Sequence, residues 1–235
     1  MASRIVEKII DTDSRSFLQQ EGMIYSFLNP VSYLDAQKNK ELYCKMDGLF
    51  ADGSLLVAAI KLCYGKNVER CSFDMTSLAP KLFEYAQKNR KTIYIVASKQ
   101  KQVEKAVEFF RDRYQGIIIG FRNGYFVDQQ EQDEEAMRIV ERNPDFLIVG
   151  MGAIKQEEFL LRTKELGYKG IGFTCGGFIS QTAMMSKEMN YYPEWIDKYN
   201  LRFLYRMCKE PHTRKRYMKA GFVFPVKFLW DRFKG

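Results

Sequence analysis

Residues 149–159, VGMGAIKQEEF, combine residue types that can bind phosphate groups. A short apolar run ends at two glycines, Gly150 and Gly152. The polar residues Lys155, Gln156 and Glu157 follow shortly afterwards. Glycines after a strand let the backbone approach a ligand, and the next helix offers unpaired N–H groups and the positive end of its dipole. Lys155 and Gln156 add side-chain donors, so a phosphate or diphosphate fits this chemistry. The alternative is a tight turn with solvated polar residues, since glutamates are favoured in a first helical turn anyway.

The same glycines do not form the dinucleotide-binding fingerprint G-x-G-x-x-G, because Lys155 stands where the third glycine would be. The pattern also comes late in the chain and not in a first strand–helix–strand unit. Both observations argue against an NAD-dependent enzyme.

Asp52 is the candidate for proton transfer, because it follows the apolar residues GLFA and precedes Gly53. A carboxylate at the end of a strand, partly shielded from water, can accept the proton of a substrate hydroxyl. The alternative is that Asp52 caps the helix predicted directly after it, a role that Asp fills well. Asn29, directly before Pro30, could likewise be only a helix cap.

Short β-rich runs alternate with helical stretches along most of the chain, and this alternation predicts how the candidate residues are positioned. Strands are predicted near residues 23–28, 48–52, 92–98, 116–121, 145–152 and 170–177, with helices of about 10–16 residues between most of them. Such a pattern is typical of an α/β fold with parallel strands and crossover helices.

In parallel sheets, ligands bind beyond the carboxyl ends of the strands. The residues of interest therefore follow the predicted strands: Asn29, Asp52-Gly53, Asn123-Gly124-Tyr125, Gly150 to Glu157 and Gly176-Gly177.

Several protein classes are disfavoured by composition. Five cysteines without a C-x-x-C pair argue against a disulfide framework or a zinc site and favour buried free thiols. A single histidine, His212, argues against a Ser-His-Asp system or a multi-histidine metal site. No stretch approaches the roughly 18–20 apolar residues of a membrane-spanning helix. The N-terminus has too many charges for a secretory signal, so we expect a cytosolic chain.

The net charge of +8 is concentrated at the end of the chain. Residues 195–235 contain 11 Lys or Arg and three acidic residues, together with both tryptophans, whereas residues 1–194 are electrically neutral. A basic amphipathic helix with aromatic residues binds well to an anionic bilayer surface. The alternatives are a packed terminal subdomain, which is compatible with membrane binding, and a nucleic-acid-binding segment, for which no fold signature is present. We therefore expect a body at 1–194, a membrane-proximal appendage at 195–235 and no nucleic-acid partner.

Together these motifs resemble the WecG/TagA/CpsF family of bacterial glycosyltransferases. VGMGAIKQEEF resembles the family signature G-x-G-x-P-K-Q-E, and further motifs follow in the family's order over about residues 20–220. They are Asn29-Pro30, Asp52-Gly53, Arg70, NGYF at 123–126, PDFLIVGMG at 144–152, Gly176-Gly177, PEW at 193–195 and NLRFLYRMCKEP at 200–211.

The resemblance implies a Rossmann-like, mostly parallel sheet with a basic, helical C-terminal appendage that helps to complete the site. It implies an inverting transfer from a UDP-sugar, of the N-acetylmannosamine type or a relative, to a polyprenyl-diphosphate-linked acceptor. Such reactions build capsule, exopolysaccharide, teichoic acid linkage units or common antigen. No metal or other cofactor is implied, and the protein would be peripheral on the inner face of the cell membrane. Homo-oligomer formation stays open.

The resemblance also assigns roles to individual residues. Asp52 matches the proposed general base, which takes the proton from the acceptor hydroxyl. The residues that would bind the donor or the acceptor are Asn29, Arg70, Tyr125, Gly150, Gly152, Lys155, Gln156, Glu157, Gly176, Gly177, Arg206, Arg214 and Arg216. With no metal, cationic side chains and helix N-termini would stabilise the charge of the leaving diphosphate.

The chain departs from the family pattern at Phe27, Asn123, Ile154 and Thr213, where the family more commonly has Thr, His, Pro and Arg. Arg214 could substitute for the last of these. Asp52 and Gln156 are kept, so the resemblance implies catalysis, while the sugar stays undefined. The alternative is a non-catalytic nucleotide-sugar-binding or scaffold protein of polysaccharide assembly.

Overall fold

The computed structural model describes residues 3–13, 18, 20–185, 196, 202–209 and 214–234. Six strands form one sheet: β1 (Ile24–Leu28), β2 (Gly48–Ala51), β3 (Thr92–Ala97), β4 (Ile118–Arg122), β5 (Phe146–Gly150) and β6 (Ile171–Thr174). Their order is β2-β1-β6-β5-β3-β4, and every neighbouring pair is parallel. All carboxyl ends therefore lie at one edge of the sheet, which we call the carboxyl edge. The predicted α/β class is confirmed.

The helices that precede and connect the strands are α1 (Arg4–Asp11), α2 (Pro30–Lys38), α3 (Lys40–Lys45), α4 (Ser54–Tyr64), α5 (Leu78–Lys88), α6 (Gln100–Arg113), α7 (Gln129–Arg142) and α8 (Lys155–Glu165). Three more follow the last strand: α9 (Phe178–Thr182), α10 (Arg202–Lys209) and α11 (Arg214–Lys234). Helix α1 was not predicted from the sequence, and it buries Ile5, Val6 and Ile9.

Two hydrophobic layers cover the two faces of the sheet. Within β3, Ile93 and Ile95 pack with α5, α6 and α9, whereas Tyr94 and Val96 pack on the side of α1–α4, α7, α8 and α11. Successive side chains of a strand point to opposite faces, so both faces of this sheet are buried. That is why the strands appear in the sequence as short apolar runs without clear alternation.

Part of the predicted appendage packs on the body of the protein. On α11, Ala220, Phe224, Phe228 and Asp231 are buried. The ring of Tyr33 on α2 lies 5.5 Å from that of Phe224 and 5.1 Å from that of Phe228. The Tyr33 hydroxyl donates to Asp231 Oδ2 at 3.2 Å. The division at residue 194 itself stays a prediction, because residues 186–195 and 197–201 lie outside the described part of the chain.

The opposite side of α11 is exposed and apolar. This surface, the outer face of α11, consists of Met218, Phe222, Val226, Leu229, Trp230 and Phe233. Residues four apart lie on the same side of a helix, and the buried and outer sets are each spaced in this way. None of the helices in the described residues is long and apolar enough to cross a bilayer.

All five cysteines are free, as predicted. Only Cys71 and Cys175 are fully buried, however, and Cys208 is exposed.

Candidate functional site

The ends of β1 and β2 bring Asn29 and Asp52 together. The Asp52 N–H donates to the carbonyl of Leu28 at 2.8 Å, so the two strands stay paired to their last residues. A Cβ atom added to Gly53 would lie 4.0 Å from Asn29 Cβ. The predicted base and the predicted substrate contact are therefore neighbours at the carboxyl edge.

Asn29 and Asp52 differ in their position relative to the helix that follows each of them. Asn29 is the N-cap of α2, and its Oδ1 accepts from the N–H groups of Val31 at 2.9 Å and Ser32 at 3.1 Å. Its Nδ2 group is the part of the side chain that could contact a ligand. Helix α4 begins at Ser54 with Gly53 as its N-cap. The capping alternative is thus confirmed for Asn29, whereas the N-cap position of α4 is taken by Gly53 and not by Asp52.

Arg70 lies beside the end of β2. The Cys71 N–H donates to the carbonyl of Ala51 at 2.9 Å, which places this segment alongside the strand. The guanidinium of Arg70 donates to Ser72 Oγ at 3.2 Å. Burial raises the pKa of the Cys71 thiol to about 11, and the charge of Asp52 adds to this increase. Asp52 and Arg70 consequently border the same small region.

The ends of β5 and β6 approach each other closely at Gly150. A Cβ atom there would lie 2.7 Å from Cys175 Sγ and 2.9 Å from the carbonyl oxygen of Gly176, which is too close for any side chain. Gly152 differs, because it has φ +87° and a Cβ atom would meet no atom within 4 Å. The backbone at Gly152 is therefore open to a ligand, whereas Gly150 is needed for packing.

Ile154 has φ +76° and ψ −59°, a conformation that β-branched residues rarely adopt. Such backbone costs on the order of 1–3 kcal/mol and tends to occur at functional sites. The family signature has proline at this position, and proline fixes φ near −65° and lacks an N–H. The turn before α8 is thus a feature of this chain and not of the signature. Lys155 follows it and is exposed.

Gln156 and Glu157 point inward, with exposed fractions of 5% and 1%. Gln156 Nε2 donates to Glu157 Oε1 at 2.9 Å, and the Gly176 N–H donates to Gln156 Oε1 at 3.1 Å. Both side chains thus have hydrogen-bond partners within the protein. Their contact with the substrate stays a prediction.

Sequence reasoning missed the other polar residues of this network, Ser26 on β1 and Thr174 on β6. Ser26 Oγ donates to Glu157 Oε1 at 2.8 Å and accepts from Thr174 Oγ1 at 3.0 Å. The available signal was a hydroxyl residue inside each of two apolar strands, IYSFL and IGFT.

The loop after β4 reaches the same edge. Asn123 Oδ1 accepts from the Tyr125 N–H at 2.9 Å, so the residue that replaces the family's histidine forms a local turn. A Cβ atom on Gly124 would lie 3.2 Å from the backbone of Ala97 and 3.1 Å from Met151 Cγ. Tyr125 is 64% exposed and is available to a ligand.

The remaining predicted residues are less defined. Gly177 is the N-cap of the short helix α9. Arg214 is exposed, and its Nε donates to the carbonyl of Met207 at 2.7 Å, which links α10 and α11. Arg206 and Arg216 lie on these helices, but their side chains, like Thr213 and residues 193–195, fall outside the described part of the structure.

No group of three or more His, Cys, Asp or Glu side chains that could hold a metal ion occurs among the described residues. The predicted absence of a metal requirement stays a prediction.

Comparison with known proteins identifies the family of this chain. The sequence model of the glycosyl transferase WecG/TagA/CpsF family matches residues 4–235. A UDP-Gal:alpha-D-GlcNAc-diphosphoundecaprenol beta-1,4-galactosyltransferase of Shigella boydii is 34% identical over 207 residues, which cover 88% of this chain and 85% of that protein. An N-acetylglucosaminyldiphosphoundecaprenol N-acetyl-beta-D-mannosaminyltransferase of Bacillus subtilis is 25% identical over 213 residues, 88% of this chain and 80% of that protein. The chain therefore belongs to the WecG/TagA/CpsF family of glycosyltransferases.

Proposed function

We propose that this glycosyltransferase moves a hexose, with inversion, from a UDP-sugar to a polyprenyl-diphosphate-linked sugar, with Asp52 as general base. The observation that carries the proposal is the position of Asp52. It follows the last residue of β2, precedes the N-cap residue Gly53, and lies beside Asn29. A carboxylate at the ligand-binding edge of a parallel sheet is suited to proton transfer.

The sheet order supports a binding mode for the donor. From β2 to β5 there are three strand spacings, which correspond to about 14 Å. This span is longer than one sugar ring and suits a nucleotide diphosphate sugar. We place the diphosphate at the open backbone of Gly152 and the N-terminus of α8, and the transferred sugar toward Asn29 and Asp52.

In this binding mode Asp52 takes the proton of the acceptor hydroxyl while the hydroxyl oxygen forms a bond to the anomeric carbon. The bond from that carbon to the UDP oxygen breaks on the opposite face, which inverts the configuration. Negative charge develops on the departing diphosphate. Lys155, the N-terminus of α8 and the predicted arginines of the tail would stabilise this charge without a metal ion.

The names of the two relatives guide the choice of substrates. Both include an undecaprenyl-diphosphate-linked GlcNAc acceptor, and they differ in the sugar transferred, galactose or N-acetylmannosamine. We therefore place UDP-galactose and UDP-N-acetylmannosamine first among donors, and a GlcNAc-diphosphate-polyprenol first among acceptors.

The decisive experiment measures UDP release and product mass with this acceptor and a panel of UDP-hexoses. We expect Asp52→Asn to reduce the rate by about 100- to 10,000-fold, the usual contribution of a positioned proton-transfer group, while UDP binding and the melting temperature stay near wild-type values. Asp145→Asn, at the opposite edge of the sheet, is the matched control and should retain transfer. The chelator EDTA should leave the rate unchanged.

Two outcomes would contradict the proposal. Full activity of Asp52→Asn would exclude it as the base. UDP-sugar binding without turnover, over the whole donor panel, would favour the non-catalytic scaffold.

We further propose that the outer face of α11 contacts the anionic inner surface of the cell membrane. Phe222 is 79% and Trp230 54% exposed, and the tail supplies the excess of basic residues. Aromatic and basic side chains together favour interfacial binding.

Deletion of the tail would be a poor test of this contact, because it would also remove Phe224 and Phe228 from the core. Phe222→Ser with Trp230→Ser should instead release the folded protein from vesicles containing anionic lipid. Leu62→Ser, an exposed apolar residue on α4, should not. Unchanged sedimentation of the double variant would contradict membrane contact through this face.

A further inference from the structure

Behind the candidate site lies a buried carboxylate, Glu157, on the first turn of α8. Its neighbour Glu158 on the same turn is exposed. Burying a carboxylate is unfavourable unless donors surround it. Glu157 Oε1 accepts from Ser26 Oγ at 2.8 Å and from Gln156 Nε2 at 2.9 Å, and Oε2 accepts from the Ile154 N–H at 2.7 Å.

The donors come from separate parts of the carboxyl edge. Ser26 lies on β1, three residues before Asn29, and Ile154 belongs to the turn after β5. Gln156 extends the network to β6, because its Oε1 accepts from the Gly176 N–H at 3.1 Å. Glu157 thus links the middle of β1 to the turn after β5 and, through Gln156, to the loop after β6. In the proposed binding mode these loops contact the sugar and the diphosphate.

The hydrogen bond from the Ile154 N–H to Glu157 Oε2 holds Ile154 in a strained backbone conformation. A β-branched residue at φ +76° persists only where its surroundings determine its conformation, and Glu157 occupies the N–H of this residue. Next to it, Gly152 leaves the backbone open to a ligand. Movement of the Ile154 turn would therefore change the shape of the proposed diphosphate site.

The surroundings of Glu157 are otherwise closed to solvent. The fully buried Tyr43 on α3 lies near its carboxylate, and burial together with the charge of Glu157 raises the pKa of the Tyr43 hydroxyl. Desolvation also raises the pKa of Glu157, although its hydrogen-bond donors act in the opposite direction. With 1% of its surface exposed, Glu157 has no route to a substrate in this conformation.

We propose that Glu157 is a positioning residue, which fixes the loops after β1, β5 and β6 in the arrangement that binds the UDP part of the donor. The inference rests on the proposed function for the identity of the ligand. It differs from the role suggested by the family signature, because Glu157 would act through Ile154, Gln156 and Ser26 and would not touch the substrate.

Glu157→Gln tests the proposal, with Glu158→Gln as a matched control. The amide has the shape of the carboxylate but replaces one acceptor oxygen by a donor, so it cannot satisfy Ser26, Gln156 and Ile154 together. We expect UDP binding, measured by calorimetry, to weaken at least 10-fold and the KM for the UDP-sugar to rise similarly, with kcat within about threefold of wild type. Glu158→Gln should match wild type in all three quantities.

A measurement without ligand separates this proposal from the proposed function. Amide hydrogen exchange followed by NMR should accelerate at least 10-fold at Ile154 and Gly176 in Glu157→Gln, and not in Glu158→Gln. If the wild-type chain failed to bind UDP, the proposed function would fall, while the exchange rates would still decide whether Glu157 couples the loops.

Two results would overturn the positioning role. One is wild-type UDP affinity with wild-type exchange at Ile154 and Gly176 in a folded Glu157→Gln variant. The other is a loss of kcat comparable to that of Asp52→Asn with unchanged UDP affinity, which would place Glu157 in the chemistry. If Glu157→Gln does not fold, Ser26→Ala removes one donor only and should produce a smaller change in the same direction, whereas no change would also count against the proposal.

Discussion

The two edges of the sheet use polar residues in opposite ways. At the amino edge, Asp145 accepts from Lys91 Nζ at 2.8 Å, the Thr92 N–H at 2.7 Å and Thr92 Oγ1 at 2.9 Å. Asp47 likewise accepts from the Ile24 N–H at 2.7 Å and pairs with Lys164. These carboxylates lie just before strands and hold strand starts to neighbouring segments.

At the carboxyl edge, some polar groups are buried and others are exposed. The Glu157 network is buried, whereas the backbone at Gly152 and the side chains of Lys155 and Tyr125 are exposed. Positive φ angles occur at both edges, but the β-branched Ile154, with φ +76°, lies at this one. The described carboxylates of the amino edge serve stability, whereas the carboxyl edge combines the strained Ile154 backbone with groups available for binding, as expected of a ligand site.

The largest expected effect comes from adding a side chain at Gly150, where the ends of β5 and β6 approach each other closely. Gly150→Val would push a side chain into Cys175 Sγ and the Gly176 carbonyl, and overpacking of this kind costs up to about 3 kcal/mol. We expect a matching loss in the free energy of unfolding, measured by urea denaturation, together with loss of UDP binding. A variant as stable and active as wild type would show that the two loops can separate without consequence.

A smaller effect, confined to stability, is expected at the amino edge. Asp145→Asn should lower the free energy of unfolding by about 1.5 kcal/mol, because charged hydrogen bonds are lost, and leave transfer per folded molecule unchanged. Lys164→Ala, which removes one member of a partly exposed pair, is the control and should cost less than about 1 kcal/mol. Reduced turnover in folded Asp145→Asn would contradict the view that polar residues of the amino edge serve stability alone.

The Asp145 contribution should also depend on pH. Partial burial opposes ionisation of this group, but the hydrogen bonds from Lys91 and Thr92 prevail and lower its pKa below the ordinary value of 3.8. Its stabilisation is therefore present above that value and is lost as the pH falls through the lowered pKa. The stability difference between wild type and Asp145→Asn should be constant above about pH 5 and shrink below about pH 4.

Gly152→Ala is expected to change stability less than Asp145→Asn does. The added methyl meets no neighbouring atom, so the cost is that of placing alanine at φ +87°, about 1 kcal/mol. Because the methyl would point into the space proposed for the diphosphate, we expect UDP affinity to fall several-fold. Unchanged affinity on calorimetry would move the diphosphate away from this loop.

Much of the fold was predictable because its signals are local. Alternating strand and helix patterns gave all six strands within a few residues, and parallel connectivity then placed Asn29, Asp52 and Gly150–Glu157 at one edge. The helix at Arg4–Asp11 was not predicted, although Ile5, Val6 and Ile9 recur at helical spacing. The two sides of α11 also escaped prediction, since both are apolar and only packing against Tyr33 distinguishes them.

By itself, the sequence determined the α/β architecture, the family and the edge where chemistry would occur, because periodicity and short motifs depend on neighbouring residues in the chain. Only the tertiary structure decided that Gly53, and not Asp52, is the N-cap residue of α4 and that Glu157 faces Ser26, a residue 131 positions away. Burial and hydrogen bonding of a polar side chain depend on what distant strands and helices bring beside it. The family signature includes Glu157 and not Glu158, but it does not indicate that Glu157 is buried against a distant strand.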